Sequence, residues 1–107
     1  MKLLTEHDAG TRTTLRSGEQ FTIQLAENAT TGYQWVLTVV DTSCLRLVQD
    51  GFVPRGEEGA VGAEGQRSFT FEAVRPGTTT LDLRYYQPWE GEASAARQLR
   101  YTVEVVE

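Results

Sequence analysis

The sequence predicts an all-β fold, an immunoglobulin-like two-sheet β-sandwich of about seven to eight strands without a disulfide. Three observations predict it. Apolar and polar residues alternate with period two along most of the chain, the signature of strands with one buried face. No stretch carries an amphipathic helix, and Gly91 to Arg97, the one helix-tolerant segment, is too short to be stable in water and reads as loop. Cys44 is the single cysteine, so the fold rests on its core.

Arg12 to Arg16 is a weak candidate strand and reads as an edge. Phe21-Thr22-Ile23-Gln24-Leu25 places its apolar residues on one face, within a strand over 20–26. Tyr33 to Val40 is more evenly apolar and reads as a central strand, with Tyr33, Trp35, Leu37 and Val39 on one face. Leu45 to Phe52 is weaker. Strong alternation returns at Phe69-Thr70-Phe71-Glu72-Ala73, Leu81-Asp82-Leu83-Arg84-Tyr85 and Leu99-Arg100-Tyr101-Thr102-Val103-Glu104-Val105. Between the first two of these, Arg75-Pro76-Gly77-Thr78 has the pattern of a type II turn. At 107 residues the chain is one domain, 1–107, with residues 1–10 as an edge or poorly ordered segment.

If strand direction alternates along the chain, every second connection falls at the same end. One end receives the short polar links 17–19, 41–44 and 75–77. The other receives 27–32, 53–66 and 87–96, which are longer or less usual. Loops longer than geometry requires are where binding surfaces concentrate.

In the first of these, Asn28 can form an Asx-turn and Gly32 can take a positive φ, with Thr30 and Thr31 between them. Turn chemistry alone explains Asn28 and Gly32; Asn28-Ala29-Thr30 also matches a glycosylation acceptor. The second connection is glycine-dense and acidic, with no following helix and no Lys-Ser/Thr, so it is no phosphate cradle. The third holds Gln87-Pro88-Trp89, where Pro88 stiffens the chain and Trp89 falls beyond the last alternating position. Such an indole is either an interface anchor or folds back on Tyr86.

Three motifs, Asn28-Ala29-Thr30-Thr31-Gly32-Tyr33-Gln34-Trp35, Gly62-Ala63-Glu64-Gly65-Gln66-Arg67-Ser68-Phe69 and Gln87-Pro88-Trp89, agree in order and spacing with a known family. The chain resembles, from about Gly18 to Val105, the chagasin family of inhibitors of papain-like cysteine proteases. The resemblance implies a reversible, non-covalent inhibitor whose three loops plug the protease cleft as a wedge. Thr30, Thr31 and Gly32 would lie across the catalytic Cys-His pair, and Pro88-Trp89 would pack beside it. Asn28, Tyr33, Gly62, Ala63, Glu64, Gly65 and Gln87 complete the implied protease-binding set. Ala29, Glu64 and Gln87 stand where the family pattern has Pro, Gly and Arg, which bears on affinity and target choice.

The alternative from a different class is an adhesion or assembly module that binds a protein or glycan through the same loops. Catalysis is poorly supported: His7 is the only histidine, Cys44 is assigned to the opposite end, and no nucleophile–base pair or metal set can be assembled. No cofactor or metal is expected. The net charge of −5 and the scattered basic residues argue against nucleic acid. No apolar run reaches membrane-spanning length, so no membrane partner is expected, and the free protein is expected to be a monomer. With no signal peptide in the sequence, a cytoplasmic location is expected, or a secreted or periplasmic one if a leader is removed.

Overall fold

The computed structural model describes residues 2–28, 31–39, 41–54 and 64–107. Eight strands run in chain order: β1 (Lys2–Leu4), β2 (Arg12–Arg16), β3 (Gln20–Asn28), β4 (Gln34–Val39), β5 (Leu45–Pro54), β6 (Glu64–Ala73), β7 (Gly77–Tyr86) and β8 (Arg97–Val106). They form two four-stranded sheets, of order β1-β3-β6-β5 and β2-β8-β7-β4. Pairing is antiparallel except at one edge of each sheet, where β1 runs parallel to β3 and β2 parallel to β8.

The alternating residues do what their period requires. Phe21, Ile23 and Leu25 of β3, Phe69, Phe71 and Ala73 of β6, Leu81 and Leu83 of β7, and Tyr101, Val103 and Val105 of β8 form the buried layer between the sheets. Phe21 and Phe71 face each other in register and stack at 5.2 Å between ring centroids. Burial of this apolar surface is the main favourable term holding the sandwich together.

A 3-10 turn, Glu6–Asp8, carries the chain from the first sheet to the second. Thr5 caps it: its hydroxyl accepts the His7 N–H at 3.3 Å, and Asp8 Oδ2 accepts the Thr5 N–H at 2.8 Å. A further 3-10 turn, Glu92–Ser94, lies in the 87–96 connection.

Two expectations need correction. The strand after residue 33 is an edge strand and not a central one: among the described residues β4 pairs with β7 alone. Trp35 is buried and Leu37 half-buried, whereas Val36 and Thr38 are exposed, so its even apolarity comes from an uncovered valine rather than from burial on both faces. The type II turn is not formed either. Gly77 sits at φ +156°, far from the roughly +80° that turn requires, because Arg75-Pro76 bends the chain from one sheet to the other instead of closing a hairpin.

The weak alternation of 45–52 also has a physical cause. A bulge falls between Leu47 and Gln49, which shifts the register of β5 against β6 and breaks the period.

Candidate functional site

The strand ends that carry the three connections pair at one end of the sandwich, as the strand parity requires: Asn28 with Glu64, Pro54 with Gly65, Gln34 with Tyr86 and Tyr85 with Arg97. The 55–63 segment joins β5 to β6, neighbours in the first sheet, and residues 87–96 join β7 to β8, neighbours in the second. The connection after Asn28 differs in kind: it crosses from β3 in one sheet to β4 in the other.

Among the described residues no backbone hydrogen bond joins the stems of this crossing loop, and side chains tie them instead. The Glu27 carboxylate accepts the Trp35 N–H at 2.8 Å, and the Trp35 indole Nε1–H donates to the Ala26 carbonyl at 2.9 Å. The Asn28 N–H donates to Tyr85 Oη at 3.2 Å. Tyr85 stacks on Tyr33 at 5.1 Å between ring centroids and packs tilted against Trp35 at 4.8 Å. Within the loop, Thr31 Oγ1 donates to the Asn28 carbonyl at 2.8 Å and Gly32 takes φ +78°. Gly32 thus supplies the left-handed conformation that an L side chain would resist.

The 87–96 connection is tied to this loop directly. Gln87 Nε2 donates to the Thr31 carbonyl at 2.9 Å. Gln87, Pro88, Trp89 and Glu90 make a turn closed by the Glu90 N–H to the Gln87 carbonyl at 2.8 Å. Trp89 is 69% exposed, and the edge of its ring lies on Gly32 rather than on Tyr86. At the root of the same connection, the Arg97 guanidinium lies 5.5 Å from the centre of the Trp35 ring and pairs with Glu6.

Of the residues singled out in the sequence, Asn28, Thr31, Gly32, Tyr33, Gln87, Pro88 and Trp89 gather here. Glu64 begins β6 opposite Asn28, and Gly65 is a buried strand residue opposite Glu27. Thr30, Gly62 and Ala63 lie outside the described residues.

Sequence reasoning missed Glu27, Arg67 and Tyr85. Glu27 is 2% exposed, and Arg67 Nη2 donates to its Oε2 at 2.8 Å. Arg67 Nη1 also donates to Asp50 Oδ1 at 3.3 Å, and its guanidinium lies over the Phe52 ring. The hydrogen bonds to Glu27, together with the charges of Glu27 and Asp50, push the Arg67 pKa up against the effect of burial. The signal was available: Glu27 continues the inward series Phe21, Ile23, Leu25, and Arg67 precedes Phe69 and Phe71 on the inward face of β6.

Cys44 is buried at the far end, where its carbonyl accepts the Val74 N–H at 2.9 Å. Burial first, then the nearby Asp41 charge, raises its pKa, which disfavours the reactive thiolate. Among the described residues no group of three His, Cys, Asp or Glu side chains is placed to hold a metal ion.

A two-sheet sandwich that gathers an exposed indole, a preformed glycine turn and two hairpin ends on one surface is a binding domain. The description "chagasin family peptidase inhibitor I42" matches residues 14–105, and the chain belongs to that family. It is similar to amoebiasin-2 of Entamoeba histolytica, with 31% identity over 102 residues covering 94% of this chain and 82% of that one. Chagasin of Trypanosoma cruzi is 28% identical over 104 residues, covering 94% of this chain and 92% of that one. The crystal structure of the cysteine protease inhibitor EhICP2 from Entamoeba histolytica superposes with a TM-score of 0.88 at 30% identity, covering 98% of this chain and 95% of that one. Membership makes the chain a protease inhibitor and not an enzyme, and it disfavours the adhesion-module alternative.

Proposed function

We propose that this chain is a reversible, non-covalent inhibitor of papain-like cysteine proteases that plugs the active-site cleft with its three convergent connections. The observation that carries the reading is the crossing loop, tied to Gln87 and Trp89 on one side and to β6 through Glu27 on the other. Thr30, Thr31 and Gly32 lie across the catalytic Cys-His pair of the protease, with Asn28 and Tyr33 setting the loop's stems. Gln87, Pro88 and Trp89 clamp one side of the cleft, and Gly62, Ala63, Glu64 and Gly65 the other. A loop already held in its binding shape loses little conformational entropy on docking. It also need not present a scissile bond in attack geometry. The free inhibitor is a monomer.

The test is titration of active-site-counted papain with the purified domain. Activity should fall to zero near one equivalent and return on dilution, with the inhibitor recovered uncleaved. Full activity of papain and several lysosomal-type relatives in stoichiometric excess of the domain would overturn the reading.

A further inference from the structure

The crossing loop depends on a buried ion pair at positions where the strand pattern would place hydrophobes. Glu27 and Arg67 are diagonal neighbours on the inward faces of β3 and β6, since Leu25 pairs with Arg67 and Glu27 with Gly65. A carboxylate that is 2% exposed is costly to bury, and apolar residues of similar volume often replace such pairs without loss of stability. What an apolar side chain cannot do is accept the Trp35 N–H. That N–H belongs to an edge strand in the opposite sheet, eight residues along the chain from Glu27, and the Glu27 Oε1 contact at 2.8 Å closes the loop between them.

We propose that Glu27 is a positioning residue for inhibition: its carboxylate, oriented by Arg67, fixes the stems of the 28–34 loop before any protease is met. The inference deepens the inhibitory reading above and rests on it. Arg67 orients the carboxylate through Nη2 at 2.8 Å to Oε2 and Nε at 3.2 Å to Oε2 and 3.3 Å to Oε1. The same guanidinium reaches Asp50 and Phe52 on β5, so the lock also ties the crossing loop to the strand that leads into the 55–63 connection. A free loop that samples its binding shape only part of the time has its apparent affinity reduced by that fraction. Glu27 acts by keeping the fraction near one.

The decisive variant replaces both charges, Glu27→Met with Arg67→Met, because it removes the lock without stranding a buried charge. Its unfolding midpoint should stay near that of the parent, because relief of the buried charges offsets the Trp35 N–H left without its acceptor. Its inhibition constant for papain should rise at least about tenfold, the fold-change expected if the competent fraction falls to about one tenth. Amide order parameters of Thr31, Gly32 and Tyr33 in the free protein should fall from about 0.85 to below about 0.6. Glu27→Gln with Arg67→Gln, in which one amide oxygen still accepts the Trp35 N–H and no charge is left without its partner, should stay within about threefold of the parent.

A folded Glu27→Met, Arg67→Met variant with parental inhibition and parental order would reduce the pair to packing and overturn the proposal. If that variant does not fold, the second pair decides: a tenfold loss in a folded Glu27→Gln, Arg67→Gln variant contradicts the role given to the Trp35 bond. The order parameters are read on the free protein, so they test the lock even if papain is not inhibited by the parent chain.

Discussion

The edge of the Trp89 indole rests on Gly32: a Cβ built on that glycine would lie 2.3 Å from Trp89 Cη2 and 3.1 Å from Cζ3. The absence of a side chain at Gly32 therefore serves two ends. It permits φ +78°, and it lets an otherwise exposed indole settle against the crossing loop. The two connections thereby form one continuous surface.

Gly32→Ala meets both constraints at once. Left-handed backbone costs an L residue about 1–2 kcal/mol, and the new methyl must also displace the indole. Inhibition should weaken by more than about tenfold. In a Trp89→Ala background the same substitution should cost measurably less, because one of its two penalties has gone. A double-mutant cycle on the inhibition constant checks this.

Trp89→Ala should weaken inhibition by at least about tenfold, as truncation of an aromatic anchor does. Its exposure of 69% predicts that the unfolding midpoint hardly moves. Thermal unfolding and inhibition measured on the same sample separate the two, and unchanged inhibition would assign Trp89 to internal packing.

Gln87→Leu removes the donor that holds the Thr31 carbonyl at 2.9 Å. The bond is exposed to solvent, so its loss should cost about 0.5–1 kcal/mol, or roughly two- to fivefold in inhibition. The effect should fall mainly on the dissociation rate, which a surface-binding assay resolves.

Tyr101 lies in the core and its hydroxyl donates to the Thr5 carbonyl at 2.8 Å. Burial, then the charges of Asp8 and Glu6, push its pKa up to about 12 from the ordinary 10. The unfolded chain therefore releases this proton first. The stability Tyr101 contributes is fully present below pH 10 and is lost as the pH climbs towards 12. Urea unfolding between pH 8 and pH 11.5 should show that decline, and Tyr101→Phe should flatten it while losing about 1 kcal/mol at neutral pH.

Much of this was legible in the sequence because period two is a strong signal where one face is buried. Phe21, Ile23 and Leu25, or Leu81 and Leu83, can face only one way once the strand is recognised. The clustering of the three connections followed from strand parity alone. Where the reading went astray, a tertiary fact overrode a local one. Val36 made β4 look central, yet nothing covers that face. Arg75-Pro76-Gly77-Thr78 had the pattern of a type II turn, yet the chain changes sheets there and Gly77 takes φ +156°. Glu27 and Arg67 were overlooked because a charged residue at the end of an alternating run reads as the start of a loop. Only the pairing of β3 with β6 shows that they complete each other.

The end of the sandwich that carries Gly32 and Trp89 is the end that should meet the protease. Backbone hydrogen exchange of the inhibitor, free and mixed with excess catalytically inactivated papain, measures this across the whole chain. Protection should rise at residues 31–33 and 87–91 and stay unchanged at 17–19, 41–44 and 74–76. Protection confined to the second group, with 31–33 and 87–91 exchanging as in the free protein, would contradict the account.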